Sequence, residues 1–183
     1  MSLSDEKLIK GCIKGSREMQ QALYDKYSGS MYAVACRYAK AQQEAEDILQ
    51  EAFIKVFQCI DTFRQESSLG YWLKRIVVNT ALNNQRGKLY LYPMVDVTEL
   101  RHWHEDEMAI SNYSHKELIE MVQELPDGCR VIFNLYAIEG YKHHEIAKEL
   151  EISEGTSKSQ YSRAKMLLQQ KLTQRNTVRY GGE

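Results

Sequence analysis

Two prolines, Pro93 and Pro126, are all that interrupt 183 residues. Proline removes a backbone donor and clashes with the preceding turn, so its scarcity leaves long stretches open to helix. Those stretches carry the helical period. In 44–60, Ile48, Leu49, Ala52, Phe53, Val56, Phe57 and Ile60 recur at spacings that form one broad apolar stripe. The expected fold is all-α. At 43% hydrophobic and 27% charged, the chain is poorly suited to disorder. No apolar run approaches the roughly 20 residues of a membrane span, so no membrane insertion is expected. Cys12, Cys36, Cys59 and Cys129 stand far apart without a C-x-x-C pair. That spacing argues against a disulfide framework or zinc cage and fits a reduced, cytoplasmic protein.

Further helices are expected over 5–14 and 17–40, split at Gly15-Ser16 with Ser16 as N-cap, and over about 71–86. Periodicity is lost over 87–113. Ser114-His115-Lys116-Glu117 then has the form of a capping box. A helix beginning at Pro126 should run to about Glu139, where Gly140 stops it. Helices over about 143–150 and 154–173 follow, joined by Glu151-Ile152-Ser153. The expected organisation is two small helical domains, 1–92 and 115–175, joined by a flexible acidic linker over 93–114, with a frayed tail at 176–183.

Net charge is only −1, but its distribution is uneven. Residues 1–92 hold 13 Lys and Arg against 10 Asp and Glu, 93–124 hold 2 against 8, and 156–175 hold 5 against none. An acidic middle masks two basic flanks, which reopens nucleic acid as a partner.

The pair of helices around 143–173 has the proportions of a helix-turn-helix. On a helical wheel Ser157, Tyr161, Ala164, Leu168 and Leu172 share one side, which must pack inward. Lys158, Ser159, Ser162, Arg163 and Lys165 occupy the opposite arc, where cations flank short hydroxyls. Cations suit phosphates, and short donors suit base edges. Ser153 as cap, with Gly155 and Thr156 in the first turn, adds N–H groups suited to phosphate. The plain alternative is a solvated basic face.

In the first half, Asp47, Gln50, Glu51 and Ile54 lie opposite the apolar stripe of 44–60. A polar loop from Arg64 to Gly70 leads into a helix with Leu73, Ile76, Val77 and Thr80 inward. Arg75, Asn79 and Arg86 form one outer stripe, with Lys74 and Asn83 beside it. These side chains can hydrogen-bond base edges, and Tyr71 or Trp72 can support an unstacked base. Trp72 also reads as a core anchor. His102-Trp103-His104-Glu105-Asp106 has metal-ligand types but no second cluster at ligand spacing. His143 and His144, adjacent on a helix, cannot face one ion and read as surface or phosphate contacts.

Three segments carry a resemblance. Ala45-Glu46-Asp47-Ile48-Leu49-Gln50-Glu51-Ala52-Phe53 resembles the AEDxxQExF signature of region 2 in bacterial RNA polymerase sigma factors. Tyr71-Trp72-Leu73-Lys74-Arg75-Ile76-Val77-Val78-Asn79 resembles the WLxRIxxN segment that follows it. Gly155 to Lys165, GTSKSQYSRAK, resembles the GTVKSRLxRAR recognition helix of region 4. Order and spacing agree, and the absent middle domain is a mark of the extracytoplasmic-function (ECF) group. Two positions depart: Ser157 stands where the family usually has an aliphatic residue, and Gln160 where it often has arginine.

The resemblance implies a dissociable specificity subunit with no active site or cofactor of its own, directing promoter recognition, promoter opening and transcription initiation. It implies core RNA polymerase as partner, with Asp47, Gln50, Glu51 and Ile54 at the β′ clamp helices and the second domain at the β flap. It implies promoter DNA at two places: a start-proximal element met by Arg64, Lys74, Arg75, Asn79, Asn83 and Arg86, and a distal element met by Thr156, Lys158, Ser159, Ser162, Arg163 and Lys165. An anti-sigma factor is expected as regulator. Two other readings are a helix-turn-helix regulator with an N-terminal sensing domain, and a helical metal-dependent hydrolase built on the 102–106 cluster. Neither needs the 45–53 and 71–79 motifs.

Overall fold

The structure, a computed structural model, describes the backbone of residues 3–89 and 114–180 and the side chains of 3–84, 114 and 116–175. Eight α-helices are described: α1 (Asp5–Ile13), α2 (Arg17–Tyr38), α3 (Gln42–Cys59), α4 (Leu69–Leu89), α5 (His115–Gln123), α6 (Asp127–Phe133), α7 (His143–Leu150) and α8 (Glu154–Tyr180). No strand occurs among the described residues. The expected flexible linker, its 102–106 cluster and residues 181–183 lie outside the described residues, as does the side chain of Arg86.

The chain divides into two compact units, Met1–Asn84 and Gln85–Glu183. In the first, α1 turns into α2 at Gly15, whose φ of +73° suits glycine. Ser16 caps α2 by accepting from the Met19 amide at 3.4 Å. Gly11 lets α1 approach Met19, whose Cγ lies 2.1 Å from where a Cβ would sit. The Asp5 carboxylate accepts from Lys26 Nζ at 2.8 Å and Tyr27 Oη at 2.9 Å, tying the two helices. Packing of α2 on α3 buries Leu23, Val34, Ala35 and Tyr38 with Ala45, Ile48, Ala52 and Phe53. Tyr24 meets the Phe53 ring edge-on at 4.7 Å. The apolar stripe read from 44–60 is therefore the seam of this unit. A 3-10 turn, Ile60–Thr62, follows α3, and α4 buries Leu73, Val77, Val78, Ala81 and Leu82.

In the second unit the expected capping box is present: Ser114 Oγ accepts from the Glu117 amide, and Glu117 Oε2 accepts from the Ser114 amide. Met121, Val122, Leu125 and Cys129 pack with Ala164, Leu168 and Leu172 of α8. Pro126 stands immediately before α6. The turn there is clamped by a completely buried arginine. Arg130 donates to the Leu125 carbonyl at 2.8 Å, the Gln123 carbonyl at 3.2 Å and Asp127 Oδ1 at 2.5 Å.

Two expectations need correction here. The α-helix expected to reach Glu139 ends at Phe133 and continues as a π-helical turn, Asn134–Ile138, closed by the Glu139 amide on the Asn134 carbonyl. One extra residue per turn leaves the apolar period nearly intact, so periodicity cannot show it. The frayed tail expected from 176 is instead helical through Tyr180, since α8 continues that far.

Candidate nucleic-acid and polymerase interfaces

The short helix α7 closes at Glu151, which is left-handed at φ 55°, ψ 41°, and the Ile152 amide bonds the Ala147 carbonyl. This turn lets the chain re-enter helix three residues later. Ser153 Oγ accepts from the Thr156 amide at 2.9 Å and caps α8. The wheel of α8 holds. Ser157, Ala164, Leu168 and Leu172 are buried, Tyr161 is half-buried, and Lys158, Ser162 and Lys165 are exposed. Ser159 and Arg163 sit at the margin, half-buried. Ser159 Oγ donates to the Thr156 carbonyl at 3.0 Å, and Lys158 pairs with Glu154 at 2.7 Å.

Both departures from the family pattern turn inward. Gln160 Oε1 accepts from Cys129 Sγ at 3.0 Å, toward the core. Burial pushes the Cys129 thiol up to about 11, so it is a neutral donor. Ser157 Oγ lies 2.9 Å from His143 Nδ1. The His143 ring stacks on Tyr136 of the π-helical turn at 4.3 Å and meets the edge of Tyr161 at 5.8 Å. His143 is therefore a packing residue, not the surface or phosphate contact expected; His144 is exposed. Sequence reasoning missed His143 and Tyr136. The available signal was Ser157 itself, a polar residue on the inward arc that needs a partner.

On the outer face of α3, Asp47 and Gln50 are exposed and Ile54 is 57% exposed, a large aliphatic in water. Glu51 differs. Its carboxylate accepts from Lys55 at 2.7 Å and from Asn84 Nδ2 at 3.2 Å, bridging α3 to α4. Lys55 in turn donates to Thr80 Oγ1 at 3.3 Å. The hydrogen bond from Lys55 holds the Glu51 carboxyl below its ordinary value against partial burial.

On α4, Tyr71, Arg75, Asn79 and Asn83 are all exposed at intervals of four, a single row along one face. Lys74 is half-buried, and Trp72 leans on Phe63 with ring centroids 5.2 Å apart. Arg64 is exposed in the loop before α4, next to Gln65, whose φ is +59°. Among the described residues no group of three or more His, Cys, Asp or Glu is placed to hold a metal. No described helix is long and apolar enough to cross a membrane.

An all-α chain with a helix-turn-helix and an acid-free outer arc on its second helix is built to hold DNA. Family comparison agrees: residues 23–88 match Sigma-70 region 2 and residues 115–168 match Sigma-70, region 4. The chain belongs to the sigma-70 family of RNA polymerase sigma factors, as a member of the ECF group with promoter recognition and transcription initiation as its role. It is not an enzyme.

Three relatives span nearly its whole length. The RNA polymerase sigma-H factor of Pseudomonas aeruginosa is 29% identical, over 88% of this chain and 90% of its own. The ECF RNA polymerase sigma-E factor of Haemophilus influenzae is 27% identical, over 93% and 96%, and that of Escherichia coli strain K12 is 26% identical, over 93% and 95%. Among solved structures, the sigma factor RpoE bound to the anti-sigma factor NepR from Bartonella quintana is similar with a TM-score of 0.49 at 20% identity, covering 84% of this chain and 96% of that one.

Proposed function

We propose that the two units divide promoter recognition, with the first spanning about 1–92, the second about 115–175, the connecting segment 93–114 and a tail from 176. Core RNA polymerase is held through Asp47, Gln50, Glu51 and Ile54 on α3, at the β′ clamp helices. The second unit meets the β flap. The start-proximal element is met by Arg64 in the loop and by Lys74, Arg75, Asn79, Asn83 and Arg86 on α4, with Tyr71 heading the same row. The distal element is read by α8, with Thr156, Lys158 and Lys165 at phosphates and Ser159, Ser162 and Arg163 at base edges. The protein works in the cytoplasm, where an anti-sigma factor is its further partner.

One observation carries this reading. The face of α8 opposite the core holds Lys158, Ser162 and Lys165 exposed, with Arg163 at its margin and no acid from 156 to 175. Such an arc is costly to leave facing solvent unless a polyanion meets it.

Run-off transcription with purified core enzyme, on promoters randomised in the upstream element, tests it. Arg163→Ala should cost about 1–3 kcal/mol on the preferred element and relax preference at one or two base pairs. Lys165→Ala should weaken all promoters alike and lower the salt slope by about one unit. A uniform loss across the library for Arg163→Ala would reassign that side chain to phosphate.

A further inference from the structure

Ser157 is the polar residue that α8 buries completely, at 0% exposure, among its described residues. A buried hydroxyl needs a partner, and its partner comes from the other helix of the helix-turn-helix: His143 Nδ1, at 2.9 Å. The same imidazole stacks on Tyr136 at 4.3 Å and 15°, and meets Tyr161 edge-on at 5.8 Å and 61°. Tyr136 and Tyr161 are themselves 4.5 Å apart. Ser157 and Tyr161 are one turn apart on α8. One ring on α7 therefore touches two successive turns of α8 and the π-helical turn behind them.

We propose that His143 is a positioning residue for upstream-element recognition: through its hydrogen bond to Ser157 and its stack on Tyr136, it fixes the rotation of α8 about its own axis and so aims Ser159, Ser162 and Arg163. This rests on the reading of α8 as the helix that meets the distal element.

The physical reason is directionality. Two apolar side chains at this joint would hold α8 close but tolerate rotation, since apolar contact has no preferred angle. A hydrogen bond at 2.9 Å between a buried hydroxyl and a ring locked by stacking does not. Ser159, Ser162 and Arg163 lie two, five and six residues beyond Ser157, within two turns of the fixed point. A few degrees of rotation at Ser157 moves a long arginine head off a base edge. Burial, then the charge of Lys158, lowers the imidazole pKa, with Glu154 opposing. The ring is therefore neutral at neutral pH, and one hydrogen is shared between ring and hydroxyl. His144, Lys142 and Glu145 neighbour it on α7.

The test is run-off transcription by the full-length chain with core RNA polymerase, on a library randomised in the upstream element. His143→Ala and Ser157→Ala should each lower the preference for the best base pair roughly tenfold, about 1.4 kcal/mol. The double variant should lose no more than the worse single, because both remove one interaction. His143→Asn, whose amide occupies the place of Nδ1, should keep most of the preference. Melting curves accompany each variant. If His143→Ala does not fold, Ser157→Ala and His143→Asn decide alone.

Wild-type preference in His143→Ala, additive losses in the double variant, or equal loss in His143→Asn and His143→Ala would each overturn the proposal. Arg163→Ala in the same assay separates the two levels. If it relaxes preference while folded His143→Ala does not, α8 reads DNA without help from His143. If Arg163→Ala changes nothing, the reading of α8 falls and the positioning role with it.

Discussion

The two units solve one problem, presenting a binding face on a small helical body, in opposite ways. In the second unit the binding arc of α8 and its structural face are different residues. Ser157, Ala164, Leu168 and Leu172 go inward while Lys158, Ser162 and Lys165 go outward. In the first unit the roles overlap. Glu51, on the proposed polymerase face, also braces α3 against α4 through Asn84 and, by way of Lys55, through Thr80. Helices in the first unit are tied by half-exposed polar links such as Asp5 to Lys26. The second unit uses a buried ion pair, Arg130 to Asp127. Substitution should therefore mix stability with binding in the first unit and separate them in the second.

The largest effect tests the second unit's interior. Arg130→Leu leaves Asp127 as a buried carboxylate without its cation and three carbonyl and carboxylate oxygens without their donor. Breaking such a pair costs about 3–5 kcal/mol. Denaturant unfolding of the full chain should show one destabilised transition, while core-polymerase binding through α3 survives. A loss below about 1 kcal/mol would mean that the clamp around Pro126 adds little to the unit's stability.

Next in size is a pair of changes on α3. Ile54→Asp alters an exposed aliphatic that supports nothing inside the unit. It should weaken binding to core enzyme with the melting temperature unchanged. Glu51→Arg should weaken binding by several kcal/mol, as charge reversal at an interface does. It should also lower stability slightly, because a half-exposed pair is worth under about 1 kcal/mol. Equal melting temperatures for the two variants would remove the contrast between the units.

What could be read from sequence and what could not divides along the same physical line. Ser16, Ser114 and Ser153 are caps because the bonds they make lie within three residues, and local chemistry is visible locally. The α3 stripe was legible because the period of a helix writes its buried face into the sequence. Arg130, by contrast, looks like any surface arginine. The Asp127-to-Arg130 spacing permits a pair, but only the fold shows that it is buried. The bond between Glu51 and Asn84 spans 33 residues, and no pattern announces it. His143 was misread because its neighbour His144 is on the surface and its partner Ser157 lies in another helix.

That misread histidine yields the third prediction. Burial, then Lys158, depresses the His143 pKa below 6.5 in the folded state. The unfolded chain then takes up the proton more readily. The second unit keeps full stability above about pH 6.5 and loses some as pH falls from there through the depressed folded value. His143→Asn should flatten that slope in melting curves recorded from pH 8 to 5. An unchanged slope would place the titrating group elsewhere. The first unit has no histidine, so its melting should be level over this range.

The smallest effect compares the units through one backbone feature they share. Gln65 and Glu151 both sit at positive φ, 59° and 55°, where a side chain costs about 1 kcal/mol and glycine almost nothing. Glycine also widens the unfolded ensemble, so each replacement should stabilise by only about 0.5–1 kcal/mol. Function should split them. Glu151→Gly relaxes the turn of the helix-turn-helix, but α8 stays held by its core side chains, and upstream preference should be unchanged. Gln65→Gly frees a loop next to Arg64 that no core side chain holds, and the ordering of that loop must then be supplied when it meets DNA. Its promoter opening should fall by a few-fold even as its melting temperature rises. If both variants gain stability and neither loses transcription, the loop is not a promoter contact, and the start-proximal role rests on α4 alone.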